Sequence, residues 1–503
     1  MVGSGLDANL MGRDLPAIEE QRMISLSEYT SYDGLGLADL VARKQVKPEE
    51  LVTAALQAVE KVNPKINAVL QTLPTQSAES VRVGLPQGPF AGVPFLIKEL
   101  VLHAKNVRCD MGSKFAQGFT PTEDTELMAR FRRAGLVLVG TTQTPELGYN
   151  PTTETALFGP VRNPWDLTRS AGGSSGGSGA AVAAGIVSLA HANDGGGSIR
   201  IPASCNGLVG LKPSRDRIPT GPDYGDPLCG LACEFVVSRS VRDSAALLDL
   251  VAGADVGAPG VLAAPAQSYR EQMKTPPDKL RIAWTTTPAS EAKISPECEN
   301  AVHGTVRLLE GLGHALVEDR PRYDWEAFLA NIHVIWTAFT TAMVDAAGAS
   351  LGRKPSPDNL EAVTLACYED GKRYSAADLV NSMGYNNILS RQIGAFFQNY
   401  DVFVTPTIAQ PPAPLGELNQ NRKGMTAMEW TQQVFTYCPF TPAFNSTGQP
   451  AISLPLHWST NGLPIGVQFV GHFGDEGRLL RLAAQLEQAR PWAEKRPPVY
   501  AAS

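Results

Sequence analysis

Two clusters of glycine and serine constrain this chain more than any other feature. They are Gly172-Gly-Ser-Ser-Gly-Gly-Ser-Gly179 and, after a small-residue run from Ala180 to Ala192, Asp194-Gly-Gly-Gly-Ser198. Glycine opens backbone conformations closed to other residues but loses the most conformational freedom on folding. Two such clusters persist only where bare backbone N–H groups have a task. The Ala-rich run predicts a helix over Ala180–Gly185, and Ile186–Ala190 reads as a short buried strand. The first cluster then sits at a helix N-terminus and the second follows a strand. Both places gather unpaired N–H donors that suit an anion.

Three other readings of the clusters fail on their surroundings. A flexible Gly/Ser linker is not normally followed by an apolar helix and strand. A phosphate loop needs G-x-x-x-x-G-K-[ST], and neither cluster is followed by that lysine. Gly172-x-Ser174-x-Gly176 satisfies the nucleophile-elbow pattern G-x-S-x-G, but the elbow requires a hydrophobic strand before it. Asn163-Pro-Trp-Asp-Leu-Thr-Arg-Ser170 is polar and carries a proline.

The rest of the chain alternates helical and strand patterns. Gly36–Ala68 is helical, with Pro48 at a first-turn position. Gly92–Ile97 is a buried strand that ends at Lys98, Asp124–Arg133 an amphipathic helix closed by Gly135, and Leu136–Val139 a second strand. Strand, helix, strand at this spacing is a βαβ unit, so the fold class is α/β. Further strands are expected at Phe235–Val237, Lys279–Trp284, Ala315–Val317, Asp401–Val404, Ala451–Pro455 and Ile465–Val470. Helices are expected at Ser240–Val251, Pro296–Leu312, Asp324–Ala347 and Asp475–Ala489. Residues 1–34 read as an irregular lead-in and 35–495 as a single domain, with 259–278 a surface excursion or linker.

Composition excludes several classes. Among 503 residues, 43% are hydrophobic, enough for a substantial core, and a net charge of −7 argues against nucleic acid as a partner. Seven scattered cysteines, an odd number, point to buried thiols in a reducing, cytoplasmic compartment. The chain opens with no basic-then-apolar leader, and no apolar run approaches the ~20 residues that span a bilayer, so no membrane is expected. None of the seven histidines has metal-site spacing, so no metal and no cofactor is expected. His191, three residues before Asp194, reads as a satisfied interior histidine rather than a base.

Lys98 is the candidate base. Lysine is rarely buried without a purpose, and desolvation draws its pKa from ~10.4 toward neutrality, where the amine accepts a proton. A strand-end lysine can instead snorkel to solvent. Position alone leaves both readings open.

Motif order supplies the decision. Gly92-Val-Pro-Phe-Leu-Ile-Lys98, Gly172-Gly-Ser-Ser-Gly-Gly-Ser178, Asp194-Gly-Gly-Gly-Ser-Ile-Arg200, Gly210-Leu-Lys-Pro213, Phe444-Asn-Ser-Thr-Gly-Gln-Pro-Ala451 and Gly462-Leu-Pro-Ile-Gly-Val-Gln468 follow one another along the chain. In this order, from about Leu37 to Ala489, the chain resembles the amidase signature enzymes. The segment around Ser174 is most similar to the 6-aminohexanoate-cyclic-dimer hydrolase branch, with its aryl acylamidase and urethanase-like neighbours. The resemblance implies a large mixed central β-sheet covered by helices on both faces. It also implies a Ser–cis-Ser–Lys triad: Ser198 the nucleophile, Ser174 the bridge after a cis Gly173–Ser174 peptide, and Lys98 the base.

By the same resemblance, the backbone N–H groups of Gly195, Gly196, Gly197 and Ser198 form an oxyanion hole. Asp194 and Arg200 brace it. Ser175 and Ser178 cap the following helix or join the relay, with capping favoured. Tyr149 and Asn150 face the acyl group. Glu99 replaces the family's usual Asp, and Gly195 is a third glycine that could loosen the hole. Trp336, Phe339 and Met343, in a divergent pocket region around 324–440, read first as core.

The expected substrate is a small-molecule neutral amide, anilide, linear or cyclic, extending to carbamates, with bulky neutral amides accepted in this branch, on a monomer or homodimer. Two alternatives stay open. One is the glutamine-hydrolysing subunit of a tRNA-dependent amidotransferase. The other is a non-catalytic binding protein, disfavoured because all three triad positions are filled.

Overall fold

The computed structural model describes residues 23–503. Its framework is an eleven-stranded sheet. The strands are β1 (Val69–Thr72), β2 (Pro94–Lys98), β3 (Val137–Thr142), β4 (Leu189–Asp194), β5 (Val209–Lys212), β6 (Cys233–Ser238), β7 (Arg281–Trp284), β8 (Ala315–Glu318), β9 (Val402–Pro406), β10 (Ala451–Trp458) and β11 (Pro464–Val470). Their spatial order is β1-β3-β2-β4-β6-β5-β10-β11-β9-β7-β8. β2 runs parallel to both β3 and β4, and β7 parallel to both β8 and β9, while the other pairs are antiparallel.

The expected βαβ unit is β2, helix Glu126–Arg133 and β3. Every residue of β2, β3, β4 and β6 is buried. Successive strand residues point to opposite faces, so both faces of this part of the sheet are covered. That is why Phe95–Ile97, Val137–Val139 and Phe235–Val237 read as apolar runs without alternation.

The glycine-rich region departs from expectation in its boundaries. Helix α1 spans Gly176–Ala183, starting inside the first cluster, and the strand after it begins at Leu189 rather than Ile186. Packing explains the early start. A Cβ on Gly177 would lie 2.5 Å from the Gln143 nitrogen, and one on Gly176 2.4 Å from Thr153 Oγ1. Glycine is the residue that lets this helix turn lie against its neighbours, and that contact overrides helix propensity.

The divergent region is mainly helical, with strand β9 inside it. It contains α2 (Trp325–Leu351), helices Ala362–Gly371 and Ala376–Phe397, and α3 (Ala427–Tyr437). By length and composition α2 is apolar enough to cross a membrane, at 27 residues with a mean hydropathy of 1.5 over its best window. This corrects the expectation that no apolar stretch reaches that length. In the fold, α2 packs against the helices Ala362–Gly371 and Ala376–Phe397 and against α3.

Packing also runs past the expected ends of the domain. Within the supposed irregular lead-in, Leu26–Ser31 is a helix capped by Ser25, and Tyr29 is buried with its hydroxyl on the Ile186 carbonyl at 2.9 Å. The remainder of that lead-in, residues 1–22, lies outside the described residues. Beyond 495, Val499, Tyr500 and Ala501 are buried, and the Ala501 N–H donates to the Ala184 carbonyl behind α1.

Candidate active site

Because β2 and β4 are parallel neighbours, their C-terminal ends lie side by side, where α/β sheets usually place ligands. β2 ends at Lys98 and β4 at Asp194, which leads into the second glycine cluster. The Lys98 side chain is fully buried, with Nζ 2.8 Å from Ser174 Oγ and a second short hydrogen bond to Asn193 Oδ1. Burial lowers its pKa from 10.5 to about 7, and the negative charges of Glu234 and Asp194 offset part of that fall. Lys98 does not snorkel.

Ser174 follows a cis Gly173–Ser174 peptide, as the family resemblance implies. The fit around Gly173 is tight: a Cβ there would sit 2.5 Å from the Thr152 carbonyl oxygen and 2.8 Å from that of Asn150. Ser198 follows β4 and precedes the short helix Arg200–Asn206. The segment before Ser174 packs on that helix, since a Cβ on Gly172 would meet Cys205 Sγ at 3.0 Å and Pro202 Cα at 3.1 Å. Ser198 is 8% exposed, and among the described residues no hydrogen bond joins its hydroxyl to Ser174. Two of the three side chains are thus in contact in the free protein. Catalytic contacts commonly tighten only when substrate binds.

The loop expected to form the oxyanion hole differs from expectation in one donor. The Gly197 N–H donates to Asp194 Oδ1 at 2.7 Å, so it is not available to a ligand. The N–H groups of Gly195, Gly196 and Ser198 have no acceptor among the described residues. On the same peptide unit as the Gly197 N–H, the Gly196 carbonyl accepts from Thr441 Oγ1 at 2.6 Å. The plane is held at both ends. The third glycine does not loosen the loop either. A Cβ on Gly195 would lie 2.9 Å from Leu228 Cδ2 and 3.2 Å from Trp336 Cζ2, so the indole fills the space a side chain would take.

Asp194 and Arg200 form a fully buried bidentate pair, Nε to Oδ2 at 2.9 Å and Nη2 to Oδ1 at 2.8 Å. Burial alone would push the Asp194 carboxyl up, but the Arg200 guanidinium holds it well below the ordinary carboxylate range. Arg200 also donates to the Thr441 carbonyl, Gln468 Oε1 and Asn445 Oδ1. Asn445 returns its amide to Asp194 and to the Leu231 carbonyl. Two late motifs, around Asn445 and Gln468, therefore end on one guanidinium. Nothing local in either motif marks it as a partner of Arg200.

Other side chains fall differently from expectation. Ser175 occupies the N-cap position of α1 but does not cap it; its hydroxyl bonds the backbone of Asn193, as donor to the carbonyl and acceptor from the N–H. Ser178 donates to the His191 carbonyl and pairs with Thr142 Oγ1. Both serines stitch α1 to the sheet. Asn150 spends its amide on the Leu418 carbonyl and on Thr152, which braces its own loop. Tyr149 stacks on Trp336 at 4.3 Å between ring centroids, with its hydroxyl on Thr431 Oγ1, and so backs the indole that meets Gly195.

His191 is an interior group, as expected. Its Nδ1 accepts the Lys98 backbone N–H, which leaves Nε2 to donate to Glu234 Oε2 at 2.6 Å. Glu99 accepts from Thr141 Oγ1, Gln71 and the Asp110 N–H, so the longer carboxylate is fully engaged behind Lys98. Asn193, which holds Lys98 Nζ and also donates to the Leu100 carbonyl, was missed. Its one signal in the sequence is an amide side chain immediately before Asp194 at the end of a buried strand.

With this geometry in hand, the relatives are informative. The family model described as Amidase matches residues 50–480. A 6-aminohexanoate-cyclic-dimer hydrolase of Paenarthrobacter ureafaciens is 38% identical over 483 residues, 92% of this chain and 96% of that protein. Its namesake from Pseudomonas sp. (strain NK87) is 37% identical over the same shares. A solved structure of 6-aminohexanoate cyclic dimer hydrolase superimposes with a TM-score of 0.89 at 35% identity, covering 93% of this chain and 99% of that one. The chain belongs to the amidase signature family, whose members hydrolyse the C–N bond of amides.

Proposed function

We propose that this amidase works through an acyl-enzyme on Ser198, with Ser174 as proton shuttle and Lys98 as base, on neutral anilides, linear or cyclic amides, and carbamates. The observation that carries the reading is the contact between Lys98 Nζ and Ser174 Oγ, 2.8 Å long and closed to water. A lysine whose pKa has fallen to about 7 is half unprotonated at neutral pH and can accept the Ser174 proton. Ser174 in turn draws the proton from Ser198 as a substrate carbonyl aligns the two hydroxyls.

Ser198 Oγ then bonds to the acyl carbon. The oxygen that gains charge lies against the N–H groups of Gly195, Gly196 and Ser198, where one such donor is worth about 3–4 kcal/mol of barrier. Ser174 delivers the proton to the leaving nitrogen, the C–N bond breaks and the amine departs. Water repeats the relay to free the acid. Splitting the cleavage into two displacements is the gain from a covalent intermediate. A carbamate needs no additional group, since the same attack expels an amine or an alcohol. Closeness to relatives named for a cyclic amide dimer supports neutral amides as the substrate class.

The test is direct. Mixing enzyme with a poor anilide and quenching within one turnover should leave the acyl mass on the peptide carrying Ser198, and Ser198→Ala should show neither adduct nor turnover. An adduct on Ser174, or turnover by the Ser198→Ala protein, defeats the assignment.

A further inference from the structure

A cavity of about 560 Å3 is lined by no residue of the relay. Val101, Met111, Phe119, Tyr224, Met343 and Ala347 line it. We propose that this cavity receives the substituent carried by the leaving amine: an apolar chain or aryl group, neutral or ending in an ammonium. The proposal rests on the acyl-enzyme reading above and adds to it which side of the scissile bond is recognised, and by what chemistry.

Three segments lead from the reacting groups to the cavity. The first is the chain after β2: Lys98 ends the strand, the Leu100 carbonyl is fixed by Asn193 at 2.9 Å, and Val101, turned at a φ of 65°, faces the cavity. The second is the loop before Ser174. The Met111 carbonyl accepts the Leu147 N–H at 3.0 Å, and a Cβ on the next residue, Gly148, would lie 3.6 Å from Ser174 Oγ. The third is α2. Trp336 meets Gly195, and at helical spacing of three and four residues follow Phe339, Met343 and Ala347 on the same face. Phe339 packs on Tyr224 at 6.2 Å between centroids.

The side of the bond follows from the proton path. The acyl oxygen is held at Gly195, Gly196 and Ser198. The leaving nitrogen must lie toward Ser174, which protonates it. Val101 follows Lys98 in the chain, and Met111 holds Leu147, whose neighbour Gly148 lies against Ser174, so the cavity lies on the amine side.

Its chemistry sets the ligand class. The body is aliphatic, thioether and aromatic. The ionisable side chains around it are His103 and Asp223, paired at 3.3 Å, with Glu123, Tyr224 and Cys109, and neither a lysine nor an arginine lines it. A terminal carboxylate there meets two acids and no fixed cation, whereas a terminal ammonium is tolerated.

The test is a series of amides of one acid with N-methyl, N-butyl, N-hexyl, N-(6-aminohexyl) and N-(5-carboxypentyl) groups. kcat/KM should rise about two- to fourfold per methylene buried, the aminohexyl arm should match hexyl, and the carboxypentyl arm should fall at least about tenfold below it. Ala347→Trp, which fills the cavity, should cut the hexyl-to-methyl ratio of kcat/KM by about tenfold; the ratio cancels any general loss of folded enzyme. A flat series, an unmoved ratio, or a carboxylate arm accepted as well as the ammonium arm overturns the assignment. Should no amide of the series turn over, the acyl-enzyme reading fails separately. Calorimetric binding of N-hexyl and N-methyl amides to Ser198→Ala protein then decides the cavity: tighter binding of hexyl supports it and equal binding refutes it.

Discussion

Replacing Lys98 by methionine should abolish turnover and, at neutral pH, make the protein more stable. Methionine has nearly the length of lysine without the charge and adapts to irregular packing. The unfolded chain carries Lys98 with an ordinary pKa of 10.5, whereas burial lowers it to about 7 in the fold. Between those values the unfolded state binds one more proton than the folded state, so wild-type stability climbs with pH across that window and is flat below it. The difference amounts to about 5 kcal/mol charged against the wild-type fold at or below pH 7. Removing the amine strands Asn193 Oδ1 and Ser174 Oγ, its two partners, at about 1.5 kcal/mol each. The methionine protein should therefore be more stable by about 2 kcal/mol at pH 7, and less stable above about pH 8.5. Urea or thermal unfolding of both proteins at pH 6, 7.5 and 9.5 measures this. Parallel stability curves, with the methionine protein lower by a constant amount, would refute a buried, neutral-leaning lysine.

Two further measurements bear on the same chemistry. If Lys98 is the base, kcat/KM should rise about tenfold from pH 6 to pH 8 and then level, as expected for a group that loses its proton near pH 7; a rise continuing past pH 9 would mean an ordinary lysine, and a flat profile another base. Arg200→Lys should cost about 3–5 kcal/mol of stability and most of kcat, because a lysine cannot serve Asp194, Gln468, Asn445 and the Thr441 carbonyl together; near-normal unfolding and turnover would show that the brace is dispensable.

What the sequence disclosed follows from the range of the forces involved. The βαβ unit and most strands were legible because buried strands are short apolar runs bounded by turn residues, a local signal. The residues proposed as the triad, Lys98, Ser174 and Ser198, were marked by the order of motifs shared with the family and not by any local signal, since a strand-end lysine reads equally well as one that reaches solvent. The braces were not. Arg200 meets residues 241, 245 and 268 positions away, and nothing local marks Thr441, Asn445 or Gln468 as its partners. Ser175 misled for a related reason: its position favours capping, yet the Asn193 backbone offers a tertiary partner that wins. Helix α3 escaped notice although Thr426 and Glu429 form a capping box at its start. The limits of α1 were misplaced because close contact at Gly176 and Gly177, invisible in one chain, let glycine into a helix.

The Gly196–Gly197 peptide, clamped at its oxygen by Thr441 and at its nitrogen by Asp194, has a practical corollary for inhibitor work. A plate fastened along both edges cannot flip, so the backbone between the free Gly196 and Ser198 N–H groups, proposed to hold a tetrahedral adduct, is set before any compound arrives. Boronic acids and activated ketones should seat there with the main chain stationary. That half of the pocket can serve as a rigid template, leaving selectivity to be sought among the side chains opposite.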